Sequence, residues 1–239
     1  KLLAQNICND VSGDIAVASG FAAASQVYGA AVTNAASSLT LVMQPSDISN
    51  QQGMEFFGCV VTSFAISAEA GTDGGQYKWS ATLMTGKKPD LASTAEPTIT
   101  AYANTTIPKL SSSSAHEVFD KSVVMSSFTT AIESPAVFTG VTSTGYQVVS
   151  RGAEIAVTAD VQVKYDENTK GFISSFDTQS AHRAGDMFVI LNNNAFGVAM
   201  ENGVFTDVAL SEGDLMMLDC SIKAVDIGSG NLVEFDVSA

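Results

Sequence analysis

Residues 152–165, GAEIAVTADVQVKY, decide the fold class. Apolar side chains occupy every second position from Ile155 to Tyr165, and mostly polar or charged side chains fill the positions between them. Successive side chains of a β-strand point to opposite faces of a sheet, so this alternation predicts one long strand with a buried face and a solvated face. We therefore expect the core to be built from sheets.

The segments upstream predict an antiparallel pair of strands. Residues 76–86, QYKWSATLMTG, alternate in the same way, with Trp79 among the side chains predicted to face the core. Residues 54–68 are apolar at positions on both faces, which predicts a strand that is covered twice or bent at Gly58. The Gly- and Asp-rich run 69–76 predicts the hairpin turn that joins them.

Further strands are predicted downstream, at 122–133, 186–191, 196–209 and 214–225, with an interruption at Asn202–Gly203. One short helix is predicted in the same half of the chain, because residues 167–178 place Phe172, Ile173 and Phe176 on one face. The sum is a mainly β fold, a mostly antiparallel sandwich or barrel with one flanking α-helix.

Length and composition divide the chain into two parts. A chain of 239 residues can form one large β domain. We assign an Ala-rich N-terminal segment to residues 1–37 and a single β domain to residues 38–239. That domain contains a long loop at 87–121, rich in Pro and Ser, and loops of this length inside compact domains are usually functional.

The charge is sparse and acidic. Charged residues make up 15% of the chain and the formal net charge is −14, with the basic residues scattered, so no patch could displace counterions from a phosphate backbone. A sparsely charged surface suits a subunit that buries a large area against copies of itself. Residues 15–44 carry no charge, but Ala, Ser, Gly and Thr dominate them, so we expect a packed segment and no membrane helix.

Residue spacing indicates no catalytic, cofactor or metal site. His116 and His182 lie outside any H-x-x-x-H pattern, and the chain contains no G-x-S-x-G pentapeptide. Cys8, Cys59 and Cys220 are far apart, and we expect them to be small buried hydrophobes in a protein made in a reducing cytoplasm.

A partial match to a calcium-binding loop leaves one alternative open. Residues 166–177, DENTKGFISSFD, place Asp166 and Asn168 at the first and third positions of such a loop. Against calcium, Lys170 occupies the fifth position, the last ligand is Asp177 in place of Glu, and a strand leads in. We prefer a strand-to-helix turn capped by Asp166 or Asn168.

The ordered series of these segments resembles the tail tube proteins of long-tailed bacteriophages. The first stretch is GMEFFGCVVTSFAISAEAGTDGGQYKWSATLMTGK at 53–87, a Gly-Cys strand, a hairpin and a strand that closes on Gly-Lys. The second, at 126–176, has a strand ending in Ile-Glu-Ser-Pro, then Arg-Gly, the alternating strand, a Tyr-Asp-Glu turn and a helix. The likeness extends over residues 38–226.

The resemblance implies a β-sandwich flanked by a helix, hexameric rings and a tube of stacked rings that conducts DNA. It implies a virion tail component assembled in the host cytoplasm, whose partners are copies of itself and the tail proteins at the head and tip ends. Polar strand faces would line the bore, because an acidic or neutral wall lets DNA pass without binding.

Two sets of candidate residues follow. Those expected to line the bore are Glu154, Thr158, Asp160, Gln162, Lys164, Ser80, Thr82, Asp219 and Ser221. Those expected to join stacked rings, all in the loop 87–121, are Lys87, Lys88, Pro89, Asp90, Pro97, Pro108 and Lys109.

The alternative function is a carbohydrate-binding or adhesion module of a virion surface. Such a sandwich would expose aromatic side chains at one loop end, whereas Trp79 lies mid-strand and most other aromatics alternate into apolar faces. The pattern therefore favours aromatic side chains in the core. A hydrolase on a β fold is a third reading without any local motif.

Overall fold

A computed structural model describes residues 7, 26–29, 38–43, 53–92, 109–110, 115–143, 147–151, 155–177, 182–192, 196–211, 213, 215–226 and 232–237. The described elements are β1 (Gln26–Gly29), β2 (Leu39–Met43), β3 (Gly53–Glu69), a 3₁₀ turn (Asp73–Gly75), β4 (Lys78–Met84), β5 (Asp90–Ala92), β6 (Ala115–Val118), β7 (Lys121–Ser122), β8 (Met125–Glu133), β9 (Ala136–Val141), β10 (Gln147–Arg151), β11 (Ala156–Lys164), α1 (Gly171–Asp177), β12 (His182–Asn192), β13 (Phe196–Ser211), β14 (Met217–Ala224) and β15 (Glu234–Val237).

Thirteen of these strands form one sheet in the order β2-β3-β8-β11-β14-β13-β12-β6-β7. Strands β4 and β5 also pair with β3, and β15 joins β13 to β1. Strands β9 and β10 form a separate hairpin. Each pairing among the described strands is antiparallel, so the prediction of a mainly β, mostly antiparallel fold is confirmed.

The large sheet curls around its own core. Phe64 of β3 meets Phe235 of β15 edge-on, with ring centroids 5.8 Å apart, although four strands separate β3 from β15 along the sheet. The enclosed side is lined by buried side chains, among them Phe128, Val161 and Leu218, each at most 3% exposed. Burial of this apolar surface is the main force that holds the fold together.

The alternating segment is the central strand β11, as predicted. Val157, Ala159, Val161 and Val163 are buried, while Thr158, Asp160 and Lys164 are exposed. The same alternation holds in β14, where Leu218, Cys220, Ile222 and Ala224 are buried. Both strands therefore present one apolar and one polar face.

Strand β3 is bent at Gly58, and its hairpin with β4 is confirmed. Gly58 has a φ of +63°, a conformation that side chains with a Cβ rarely adopt. Residues 53–59 of the strand pair with β2 and β5, and residues 60–69 pair with β4 and β8. The bend lets one strand serve two parts of the sheet.

Trp79 departs from the prediction. It is 66% exposed, so the expectation that it belongs to the core is wrong. Trp79 pairs with buried Ile66 and so projects from the core-facing side. Ala81 and Leu83 on that side of β4 pack against the core, but β4 lies at the edge of the described sheet and nothing there covers Trp79.

The predicted interruption of the strand at Asn202–Gly203 is also wrong, because β13 runs from Phe196 to Ser211. A Cβ on Gly203 would lie 2.6 Å from Met187 Cγ and 3.2 Å from the carbonyl oxygen of Lys223. The glycine thus permits close packing between strands and does not mark a turn.

The predicted loop 87–121 is too wide. Strand β5 pairs with β3 and β6 pairs with β12, and both lie within that range. A tight turn at Phe119 and Asp120, with φ values of 52° and 60°, then joins β6 to β7. These short strands are fixed by tertiary pairing, which a local pattern does not reveal.

The predicted flanking helix is present as α1, which is shorter than predicted. Phe172 anchors it by packing against Phe205 of β13 and Phe119, with ring centroids 5.4 Å and 6.0 Å away. Because Phe205 is buried, α1 lies on the core-facing side of the sheet.

The N-terminal segment 1–37 lies outside the described residues except for Ile7, which is buried, and β1, which pairs with β15. Cys59 and Cys220 are free and buried as predicted, and Cys8 lies outside the described residues. None of the helical structure in the described part of the chain has the length and apolar character that crossing a membrane requires.

Candidate functional site: the polar face of the sheet

The outward side chains of six adjoining strands, in the order β4-β3-β8-β11-β14-β13, form a continuous surface that we call the polar face. Cross-strand pairs in the antiparallel register share a face, so membership follows from the pairing. Its members are Lys78, Ser80 and Thr82; Ser63, Ala65, Ser67 and Glu69; Ser127, Thr129, Ala131 and Glu133; Ala156, Thr158, Asp160, Gln162 and Lys164; Met217, Asp219, Ser221 and Lys223; and Asp207, Ala209 and Ser211.

One row of this face crosses all six strands. Asp160 of β11 stands opposite Thr129 of β8 on one side and Ser221 of β14 on the other. Extended in both directions, the row reads Lys78, Ser67, Thr129, Asp160, Ser221, Asp207. Apart from the ends and the central aspartate it consists of hydroxyl side chains. Such a surface is hydrated, carries mainly short polar side chains and offers few apolar contacts.

Hydrogen bonds hold the central side chains of the polar face in place. The Ser221 hydroxyl donates to Asp160 Oδ1 at 2.6 Å, and Gln162 Nε2 donates to Asp219 Oδ1 at 2.8 Å. The Ser126 hydroxyl donates to Gln162 Oε1 at 2.6 Å and so orients the amide. The two aspartates therefore have local donors and do not need a ligand to satisfy them.

The polar face is net acidic. Its carboxylates are Glu69, Glu133, Asp160, Asp207 and Asp219, and its cations are Lys78, Lys164 and Lys223. An acidic surface repels phosphate groups and offers no counterion release on contact with DNA. It is thus unsuited to nucleic-acid binding.

One of these lysines is already paired. The Lys78 ammonium forms an ion pair with Asp73, and this contact raises the pKa of Lys78 and lowers the pKa of Asp73. Glu69 adds a weaker attraction that also raises the Lys78 pKa. The cation at the β4 edge of the face is therefore balanced by its neighbours.

Among the described residues, Cys59, Cys220 and His116 do not gather into a metal-ligand cluster. Burial, followed by the nearby Asp219 and Asp207 carboxylates, raises the pKa of the Cys220 thiol to about 12, so it stays protonated at neutral pH. Burial lowers the pKa of His116. Within the described residues, no three His, Cys, Asp or Glu side chains gather as metal ligands.

The candidate calcium loop has the geometry of a turn. Asp166 Oδ1 accepts a hydrogen bond from the Asn168 backbone N–H at 2.9 Å, and the Thr169 hydroxyl donates to the Lys164 carbonyl oxygen at 2.8 Å. Lys170 forms an ion pair with Glu167. This arrangement supports the predicted strand-to-helix turn, in which the Asp166 side chain caps the Asn168 N–H, but α1 begins only at Gly171, so neither Asp166 nor Asn168 occupies the N-cap position of the helix.

The structure brings most of the predicted lining residues together. Thr158, Asp160, Gln162, Lys164, Asp219 and Ser221 occupy adjoining positions on β11 and β14, and Ser80 and Thr82 lie three strands away from β11 on the same face. Glu154 lies outside the described residues. Sequence reasoning missed the members from β3, β8 and β13, whose alternating serines, threonines and Asp207 were the available signal.

The predicted ring-stacking residues that the structure describes lie at two separate places. Lys87, near Phe57 with its ammonium 5.9 Å from the ring centroid, follows the end of β4. Lys109 bridges to Gln76, which precedes the start of β4. At about 3.3 Å per residue, β4 separates the two lysines by roughly 20 Å. Lys88, Pro89 and Asp90 follow Lys87, and Pro97 and Pro108 lie outside the described residues.

Comparison with known protein families provides independent evidence. A family model described as phage tail tube protein matches residues 9–228, which is most of the chain. No curated protein matches the sequence. With the β-rich sheet and its flanking helix, that match shows that the chain belongs to the phage tail tube protein family.

Proposed function

We propose that this chain assembles into stacked hexameric rings and that the polar face lines their bore, through which DNA passes into the host. The family match makes the chain a structural component of a phage tail tube. The observation that carries the finer proposal is the continuous acidic face across six strands, backed by a curled core on the other side.

The charge of the polar face suits conduction. DNA under transit must slide, and each phosphate contact with a lysine or arginine would hold it in place. Carboxylates outnumber lysines on the polar face, and hydroxyl and amide groups fill most of the rest. DNA in such a bore meets repulsion and water instead of binding sites.

The ends of the strands supply the surfaces for stacking. If the strands run roughly along the tube axis, the ends of β4 lie on opposite faces of the ring. Lys87–Asp90 would then face one neighbouring ring and Lys109 the other. The terminal rings would contact the tail proteins at the head and tip ends through the same surfaces. Assembly would take place in the host cytoplasm.

Electron microscopy of the purified protein tests the assembly. We expect tubes or six-fold rings in negative stain. A monodisperse monomer would contradict the proposal. If that monomer bound a glycan through exposed Trp79, the carbohydrate-binding alternative would replace it, because an exposed tryptophan is the feature such a module uses.

Thiol accessibility tests which face lines the bore. Thr158→Cys on β11 should react with a maleimide carried on a large polymer in free subunits and resist it in assembled tubes. Ser174→Cys on α1, on the other side of the sheet, is the matched control and should react in both states. Equal labelling of Thr158→Cys before and after assembly would contradict a bore-lining position.

A further inference from the structure

Two strand edges in the six-stranded part of the sheet have no partner strand in the part of the chain that the structure describes. Among the described residues, β4 pairs with β3 alone. The second edge belongs to β13. Strand β12 pairs with β13 only as far as Val204, whereas β14 pairs with β13 as far as Ser211. Residues 205–211 of β13 therefore have one partner strand within the described part of the chain. Unpaired strand edges are templates for further pairing.

The directions of these two edges fit each other. Each neighbouring pair in the path β4-β3-β8-β11-β14-β13 is antiparallel. With six strands in the path, β4 and β13 run in opposite directions. A copy rotated about an axis parallel to the strands keeps its strand directions, so its β13 would meet β4 as an antiparallel partner and the pattern would continue unbroken.

We propose that β4 of one subunit pairs antiparallel with residues 207–211 of β13 in the next subunit, with Trp79 opposite Leu210. This inference rests on the proposed ring assembly and identifies the edges that close it. Each contact is head-to-tail, the type that produces rings.

The register follows from the sides on which the side chains lie. Trp79 and Leu210 both project from the core-facing side, and both are exposed, by 66% and 40%. Placing them opposite each other pairs Ser80 with Ala209 and Thr82 with Asp207, all on the polar face. A shift by one residue would put the polar face of one subunit against the apolar side of the next.

The Trp79–Leu210 register also uses the whole of residues 207–211; the register with Ala81 opposite Leu210 matches this overlap on the same faces but does not place exposed Trp79 against exposed Leu210. Strand β4 has seven residues, and all of Lys78–Thr82 then face residues 207–211. A bulge between Phe205 and Asp207 ends the regular part of β13, so registers that use residues before 207 lose face continuity. Leu215 and Met216, just beyond β13, are also exposed and would extend the proposed apolar contact past Leu210.

Disulfide trapping tests the edges and the register together. Ser80→Cys with Ala209→Cys places thiols directly opposite, at a Cβ separation near the roughly 4.5 Å that a disulfide tolerates. The register control is Ser80→Cys with Asp207→Cys, offset by two residues, and the face control is Ser80→Cys with Leu210→Cys. Each single variant is run alongside to account for the native cysteines.

After mild oxidation of assembled protein, we expect a ladder of covalent oligomers on non-reducing gels from the first pair. The controls should give at least about tenfold less product, because offset neighbours lie roughly 7–8 Å apart. Equal ladders from all three pairs, or no ladder from the first, would overturn the proposal. Covalent dimers from Ser80→Cys alone would indicate β4–β4 pairing and overturn it too.

Electron microscopy of the same samples distinguishes a failure of the edge assignment from a failure of the proposed tube function. Tubes without the Ser80–Ala209 ladder would overturn the edge assignment and leave the proposed tube function standing. If the unsubstituted chain formed neither rings nor tubes, both the edge assignment and the proposed function would fail.

Discussion

Phe128 in β8 and Trp79 in β4 are both aromatic side chains on the core-facing side of one sheet, yet Phe128 is 1% exposed and Trp79 is 66% exposed. Their strands are separated by β3 alone. The two strands differ in position, since β8 is flanked on both sides and covered by the curled sheet, whereas β4 is an edge strand of the sheet as far as the structure describes it. An alternating pattern fixes the side on which a residue lies, but the depth depends on what the rest of the chain covers.

The centre of the sheet should be intolerant of truncation. Phe128→Ala removes a ring that is buried and packed edge-on against Tyr77, with centroids 5.4 Å apart. We expect the free energy of unfolding to fall by about 3–5 kcal/mol, as for other buried Phe→Ala changes. Urea denaturation of the unassembled subunit measures this. A loss below about 1 kcal/mol would mean that the core is not where the structure puts it.

Close packing between central strands gives the next largest effect. Gly203→Ala introduces a Cβ that would meet Met187 Cγ at 2.6 Å, and we expect a loss of about 1–3 kcal/mol from overpacking. Gly140→Ala in the exposed hairpin strand β9, where no atom lies within 4 Å of the added Cβ among the described residues, is the matched control. Similar urea midpoints for both variants would contradict the close approach.

One central side chain should improve on replacement. Thr130 is buried, and within the described residues its hydroxyl has no hydrogen-bond partner. Thr130→Val keeps the shape and removes the unsatisfied group, so we expect a gain of about 1 kcal/mol in unfolding free energy. Thermal melting of the two proteins provides the check. A clear decrease would show that the hydroxyl is in fact satisfied.

The stability of the subunit should depend on pH because of a histidine in β6, near the opposite end of the strand order from β4. In β6, His116 Nε2 is buried without a partner among the described residues, and burial lowers the pKa of the imidazole. The unfolded chain therefore takes up the proton more readily, so stability is fully present above the ordinary pKa of about 6.5 and falls as the pH drops below it. Urea midpoints at mildly acidic and neutral pH should differ, and His116→Gln should reduce that difference. If His116→Gln left the difference between the two urea midpoints unchanged, another group would be the source of the pH dependence.

The smallest effect on the subunit is expected at the edge. Trp79→Ala should change the unfolding free energy by no more than about 0.5 kcal/mol, because little of the ring is buried within one subunit. The same substitution should raise the concentration needed for assembly by about tenfold or more, since truncating an interface tryptophan typically costs over 1 kcal/mol. Sedimentation of tubes measures the second quantity. If Trp79→Ala destabilised the subunit and left assembly unchanged, Trp79 would belong to the core and not to the subunit interface.

These two regions also show what the sequence can reveal. The sidedness of β11 and β14 and the hairpin from β3 to β4 were predictable, because alternation and turn residues act locally. The exposure of Trp79 was not, because it depends on β4 having no covering neighbour within the described part of the chain. Gly203 was misread for a similar reason, since the close approach of Met187 and Lys223 arises only in the fold.

The candidate site divides in the same way. Thr158, Asp160 and Gln162 could be selected from one strand, but the row that joins Asp160 to Lys78 and Asp207 depends on the order of six strands. That order is set by pairing between segments far apart in sequence. A single alternating segment contains no information about it.

A helical reconstruction of the assembled tube, detailed enough to separate strands, tests the central claim most directly. We expect β8, β11 and β14 to wall the bore, with Asp160, Gln162 and Asp219 pointing into it and α1 on the outer side. A bore walled by α1 or by the β9–β10 hairpin, with these three side chains turned away from the axis, would contradict the account.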